Sequence, residues 1–192
     1  MDRSVGVRCR AAAGSRRRRD DAHRARLSHR AARTIEEEHV AQWKFKPAPN
    51  VWSVAECAEH IVLAETYIFG ASQQALKTPA VARLPTANAE SDKRLVVLIQ
   101  DRSQKATAPE SIVPSGKFTA PGDAAREFTA KRDMTIAYVK TTQDELRIHS
   151  LAGPTGPMDS YQFLLLLSSH SARHTAQIRE VEGNPGYPKA TP

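Results

Sequence analysis

The chain has 192 residues and a mass of 21.1 kDa, with 40% hydrophobic and 26% charged residues, which suits one domain with a hydrophobic core. No apolar run exceeds five residues, so no helix able to span a bilayer is expected. The first residues lack the apolar segment of a secretory signal peptide, and we predict a cytoplasmic protein. The two cysteines, Cys9 and Cys57, exclude a disulfide framework and a zinc ribbon.

The positive charge is concentrated at the N-terminus. Eleven of the 28 Lys and Arg residues, all Arg, lie within residues 1–35 beside three Asp, so this segment carries +8 and residues 36–192 carry −1. Residues 36–192 therefore lack the excess of positive charge that binds nucleic acid. We therefore predict an atypical or disordered segment over 1–35 and one domain over 36–192. A nucleic-acid tail, an organelle transit peptide and a start outside the natural reading frame stay open as alternatives for the segment.

The first clear helix follows a proline-containing connector at 44–50. Ser53 and Glu56 have the spacing of a capping box, and apolar residues at helical spacing extend the helix over 53–77. A second helix is predicted over 92–104 from the spacing of its leucines and isoleucine.

Two further helices complete the pattern. Asp123 is predicted to cap a helix over 124–141. Asp159 and Gln162 again have capping-box spacing, and Gly183 lies just past the end of the last helix.

Long connections separate these helices. Residues 78–91, 105–122 and 142–158 are rich in Pro and Gly and are predicted as loops, and no alternating strand pattern of useful length appears. The sequence therefore predicts an all-α four-helix bundle with long crossover loops, in which residues 20–43 supply the remaining helix.

Three histidines form a candidate metal site. His170 and His174 are four residues apart, so they lie one turn apart on the apolar face of the last helix, and His60 lies at the edge of the apolar stripe of the 53–77 helix. Two imidazoles from one helix and a third from a facing helix would give three ligands and leave an open position. Imidazole ligands suit zinc, nickel, iron or copper. Buried histidines that are only hydrogen-bonded are the alternative.

Several sequence blocks, in this order, resemble the DinB-like (DinB/YfiT) superfamily. The most specific are Trp52-Ser53-x-x-Glu56-x-x-x-His60 and His170-x-x-Arg173-His174-x-x-Gln177-Ile178. The others are Arg132-Asp133, Asp144-Glu145-Leu146-Arg147-x-His149, Tyr161-Gln162 and Asn184-Pro185-Gly186-Tyr187-Pro188. The likeness covers roughly residues 40–190. Residues 10–35, which are rich in Arg and Ala, depart from the strongly amphipathic first helix of the family.

The resemblance implies a four-helix bundle that binds a divalent metal, commonly nickel or zinc, through three histidines. These carry over to His60, His170 and His174. Family members include metal-dependent hydrolases and thiol-dependent S-transferases, and many are homodimers. The resemblance thus predicts a metal-dependent hydrolase or thiol S-transferase that acts on a small electrophile, with a low-molecular-weight thiol as a further cofactor. A non-enzymatic metal-binding or stress-response bundle is the alternative.

Four other residues have two interpretations each. His149, just before the last helix, is the candidate catalytic acid or base, or else an exposed loop histidine. Cys57 is a core residue or a thiol ligand. Gln177 orients an imidazole or makes an ordinary interhelical hydrogen bond. Arg173 forms a salt bridge or anchors an anionic substrate. As partners we predict a small-molecule substrate and a second copy of the chain, with neither membrane nor nucleic acid.

Overall fold

The computed structural model describes residues 31–36 and 39–189, and it confirms the all-α fold. The helices are α1 (31–36), α2 (Val40–Trp43), α3 (Val54–Ala75), α4 (Ala89–Gln100), α5 (Pro121–Thr141) and α6 (Ser160–Glu182). A short 3-10 helix, Glu110–Ile112, lies between α4 and α5. None of these helices combines the length and the apolar character needed to cross a membrane.

Helices α3 and α5 run parallel. The Lys131 ammonium donates to the Thr66 hydroxyl at 2.6 Å, and further along both helices the Phe69 and Tyr138 rings lie 5.4 Å apart. Parallel neighbours cannot be joined by a tight turn, so the chain needs a long crossover. Residues 76–120 provide it, which explains the long Pro- and Gly-rich connections in the sequence.

Helix α6 runs antiparallel to α3 along the centre of the bundle. At one end the Ser72 hydroxyl donates to the Ser160 carbonyl at 3.1 Å, and at the other end His60 meets His170. Helix α4 packs on α6 as well. This arrangement places the N-terminal half of α3 against the C-terminal half of α6, where the candidate ligands lie.

The first described residues belong to the core. Ala31, Ile35 and Trp43 are fully buried and pack in the same apolar cluster as Val54 and Ile178. Of the segment predicted as atypical or disordered, 1–35, the structure describes only 31–35, which are helical and include core residues. For residues 1–30, outside the described range, the prediction stays a prediction.

Two helices begin three residues earlier than predicted. Helix α4 begins at Ala89 rather than residue 92, because the Asn88 side chain accepts hydrogen bonds from the Glu90 and Ser91 amides. Helix α5 begins at Pro121, whose missing N–H costs nothing in a first turn, so Asp123 lies inside that turn rather than capping it. The capping boxes of α3 and α6 are both present as predicted.

A short hairpin lies where only loop was predicted. Strands β1 (Ser150–Gly153) and β2 (Gly156–Asp159) pair antiparallel, with Ser150 opposite Asp159. The positive φ of Gly156, 100°, allows the tight reversal. Strands of four residues with glycine and proline leave too little alternation to recognise in the sequence.

Candidate metal centre

The three predicted histidines come together between α3 and α6. The Nε2 atoms of His60 and His170 lie 3.0 Å apart, and the centroid of the His174 ring lies 4.4 Å from the centroids of both other rings. One ligand atom from each residue lies within 4.8 Å of the other two. We call these three residues the histidine cluster. Across residues 31–36 and 39–189, it is the one group of three or more His, Cys, Asp or Glu side chains close enough to share an ion.

His60 is fixed by the backbone of the crossover. Its Nδ1 lies 2.7 Å from the Ile112 carbonyl oxygen, which can only accept, so the hydrogen of the neutral ring is on Nδ1. The lone pair of His60 is therefore on Nε2, the atom that faces His170. A carbonyl that holds the distal ring nitrogen is a common support for a metal-binding histidine.

His174 is fixed by a chain of side chains. Its Nδ1 donates to Gln177 Oε1 at 2.8 Å, and the same oxygen accepts from Arg102 at 3.3 Å. A guanidinium only donates, so it determines which way the Gln177 amide is turned. Arg102 in turn makes two 2.6 Å bonds to the carboxylate of Glu180. The lone pair of His174 is therefore on Nε2. Gln177 orients an imidazole, the first of its two predicted interpretations.

His170 has no comparable support. Its Nδ1 is buried and has no hydrogen-bond partner among the described residues, while its Nε2 faces His60. Two nitrogens bound to one tetrahedral zinc at ~2.05 Å would be about 3.3 Å apart, close to the spacing found here. A cation shared by the cluster would replace a contact between two nitrogens with two coordinate bonds. The residues present therefore fit a divalent metal.

The electrostatics favour neutral imidazoles. Burial lowers the pKa of His60, although the Ile112 carbonyl acts in the opposite direction. Burial, together with the neighbouring histidines and arginines, holds the pKa of His170 well below its usual value. Burial and His60 lower the pKa of His174 to about 3. Only a neutral imidazole has a lone pair for a metal, so the cluster keeps the ligating form.

One side of the cluster reaches the surface. His60 and His174 are only 2% and 8% exposed, but His170 and Trp52 are half-buried. The Trp52 ring lies 4.8 Å from the His60 ring and 6.1 Å from the His174 ring, centroid to centroid. The edge of the cluster at Trp52 and His170 is therefore partly exposed to solvent.

The structure does not bring His149 to this cluster. His149 lies in the loop before β1 and donates through Nδ1 to the Thr78 carbonyl at 2.8 Å, just past the end of α3. His60 is near the start of α3, so about 22 Å of helix separates it from Ala75 at the other end. The geometry therefore gives no support to His149 as the acid or base at this site.

Cys57 and Arg173 have structural roles in the fold. Cys57 is fully buried in the apolar core, and burial raises the pKa of its thiol to about 12, so it is a core residue rather than a ready ligand. The predicted salt bridge of Arg173 is replaced by hydrogen bonds to the carbonyls of Ile99 and Asp101 at the end of α4 and of Gln104 just beyond it. Carbonyls at a helix C-terminus attract a guanidinium because their partial charge is negative.

Sequence reasoning missed two supporting groups: the Ile112 carbonyl, which holds His60, and the Arg102–Glu180 pair behind Gln177. A backbone carbonyl has no sequence signature, and both Ile112 and Arg102 belong to the crossover 76–120, whose path the sequence does not specify. Only Gln177, one turn from His174 on the same helix, carried a readable signal.

A helical bundle with a buried three-histidine cluster is characteristic of metal-binding helical proteins. The chain belongs to the DinB superfamily, whose family model matches residues 19–178. A protein of Bacillus subtilis (strain 168), described as uncharacterized protein YuaE, is 24% identical over 138 residues, which are 71% of this chain and 81% of YuaE. No solved structure matched with significance. The family and the cluster together support a metal-binding protein.

Proposed function

We propose that this protein is a metal-dependent enzyme that binds a divalent ion, nickel or zinc, through His60, His170 and His174. The observation that supports this most strongly is the convergence of three neutral imidazoles from two helices, two of which have Nε2 left free by a hydrogen bond at Nδ1. The donor set contains imidazole nitrogen alone, which suits these ions better than calcium or magnesium.

The reaction proposed is hydrolysis of a small electrophile, or transfer of a low-molecular-weight thiol to it. A divalent ion held by the cluster supplies Lewis-acid chemistry, which lowers the pKa of a water or thiol and polarises an electrophile. The chain supplies the rest. Ile112 and Gln177 hold two of the imidazoles in place, and the Trp52 ring packs beside His60 and His174.

A non-enzymatic metal-binding bundle is the second candidate. The placement of His149 favours it, because the candidate acid or base of the sequence lies at the far end of the bundle from the cluster. The two candidates predict the same metal content and differ in turnover.

Elemental analysis of the purified protein followed by a substrate screen separates these cases. About one equivalent of nickel or zinc per chain supports the site. Turnover of ester, amide or alkyl-halide electrophiles, with or without added thiol, that disappears in His174→Ala supports the enzyme. Metal without any turnover across the screen favours the binding protein, and absence of metal from a protein refolded with either ion refutes both.

We also propose that the protein is a homodimer. The resemblance favours it, and the adjacent side chains Val97 and Leu98 on α4 are 70% and 57% exposed. Light scattering at tens of micromolar is expected to give twice the chain mass of 21.1 kDa. A single species at the chain mass would contradict the dimer.

A further inference from the structure

Glu59, the residue before His60, is a buried carboxylate with an unusual set of partners. It is 2% exposed, and it accepts four hydrogen bonds from one short stretch of the crossover. The Ser115 amide and hydroxyl donate to Oε1 at 2.8 and 2.9 Å, and the amides of Gly116 and Lys117 each donate to Oε2 at 2.9 Å. Backbone and hydroxyl donors, rather than a cation, thus satisfy this charge.

The charge is stable in this position. Burial raises the pKa of Glu59, but the hydrogen bonds from Ser115, Gly116 and Lys117 outweigh it and leave the pKa below its usual value. Gly116 has a φ of 86°, a conformation that lets successive amides point at the same carboxylate. The Lys117 ammonium turns away to pair with Glu127 at 2.7 Å. The carboxylate therefore acts as an anchor for the backbone.

The anchored stretch is continuous with the group that holds His60. Ile112, three residues before Ser115, is 5% exposed, and its carbonyl accepts the hydrogen of His60 Nδ1 at 2.7 Å. Neighbouring residues of α3 therefore hold the two ends of the segment 112–117. His60 depends on Ile112 for its tautomer, and Ile112 depends on the path that the Glu59 contacts impose on the segment.

We propose that Glu59 is a positioning residue of the metal centre: by anchoring residues 115–117 it holds the Ile112 carbonyl where it fixes His60 with Nε2 free for the metal. The metal part of this inference rests on the proposed function above. The anchoring part concerns the chain alone and can be tested without metal.

The test is Glu59→Gln, compared with Glu127→Gln as the matched control. The control removes a surface ion pair from the same segment but leaves the Glu59 contacts in place. In metal-free protein, the nitrogen-15 resonances of the His60 ring report which nitrogen carries the hydrogen. Wild type and Glu127→Gln are expected to show His60 protonated at Nδ1, and Glu59→Gln a mixture of the two tautomers.

The second readout is the affinity for nickel or zinc, measured by competition with a chelator and scaled to the folded fraction. Loss of an outer partner of a ligand typically weakens metal binding about 10- to 100-fold, and we expect this range for Glu59→Gln and less than about 2-fold for Glu127→Gln. A role in stability alone would lower the melting temperature without changing the tautomer or the affinity of the folded protein.

A milder variant keeps the test decisive if Glu59→Gln does not fold. Ser115→Ala removes one of the four donors and is expected to change both readouts in the same direction by a smaller amount. Unchanged His60 resonances in the folded variants overturn the inference. If the wild type binds neither metal, the proposed function fails, and the tautomer measurement still decides the role of Glu59.

Discussion

Helix α6 carries one polar cluster at its N-terminus and another about halfway along, and the two are built differently. Near its C-terminal half lies the histidine cluster. At its N-terminus lies a second group, Asp92, Arg147 and Asp159, which we call the hairpin cluster because Asp159 ends β2. The Arg147 guanidinium bonds Asp159 at 2.9 Å and is paired with both oxygens of Asp92. About 16 Å of helix separates Asp159 from His170.

The hairpin cluster is complete as it stands. Its cation is shared between two carboxylates, and Asp159, which is fully buried, also caps α6 by accepting from the Gln162 amide at 2.8 Å. The histidine cluster contains no acidic side chain, and in it the Nε2 atoms of His60 and His170 face each other at 3.0 Å. Paired carboxylates and a guanidinium stabilise a fold, whereas converging neutral imidazoles suit the proposed metal ion. The two ends should therefore respond to mutation in opposite ways.

The largest effect is expected from removing a proposed ligand. In His60→Ala, His170→Ala or His174→Ala, two imidazoles remain, and we expect each variant to purify with little metal while it keeps its helical content. Elemental analysis and far-ultraviolet circular dichroism provide the measurement. Full metal content in both His170→Ala and His174→Ala would show that the cluster is not the metal site.

Breaking the hairpin cluster should give the reverse pattern. Arg147→Met leaves the buried Asp159 carboxylate without its cation, and we expect the free energy of unfolding to fall by about 2 to 4 kcal/mol. The value is below the cost for a fully buried pair because 25% of the Arg147 side chain is exposed. Urea denaturation of the metal-free protein measures it. Metal affinity should change less than about 2-fold, and a loss comparable to that of a ligand variant would mean that the two ends are coupled.

The contrast between the ends also explains what the sequence could predict. Ser53 and Asp159 cap their helices through residues three positions away, so both helix starts are readable locally. The pairing of His170 with His174 is likewise local. The ion pair between Arg147 and Asp92, which are 55 residues apart, forms only because α4 packs beside α6. No local sequence pattern predicts that packing. The resemblance predicted the three histidines that lie together in the structure, but it gave no sign that His149 lies at the other end of α3.

A smaller effect is expected from loosening one ligand without removing it. Gln177→Leu deprives His174 Nδ1 of its acceptor, and we expect metal affinity to fall about 10-fold. Gln74→Leu, at an exposed position of α3, is the matched control and should bind metal like the wild type. Chelator competition on the folded proteins gives both values. Equal affinities for the two variants would mean that the Gln177 contact does not orient His174.

The smallest effect is expected for His149→Ala, and it tests the comparison most directly. His149 contributes one hydrogen bond, to the Thr78 carbonyl, at the end of the bundle that holds the hairpin. Its loss should cost about 1 kcal/mol of unfolding free energy, the usual net value of one such bond. Since the rest of α3 lies between His149 and the cluster, metal content and metal affinity should match the wild type, and any turnover should change less than about 2-fold. Urea denaturation, elemental analysis and the activity found in the substrate screen measure the three quantities. Loss of turnover with full metal content and unchanged stability would mean that His149 reaches the reacting molecule after all, and the division between a functional and a structural end of α6 would then be wrong.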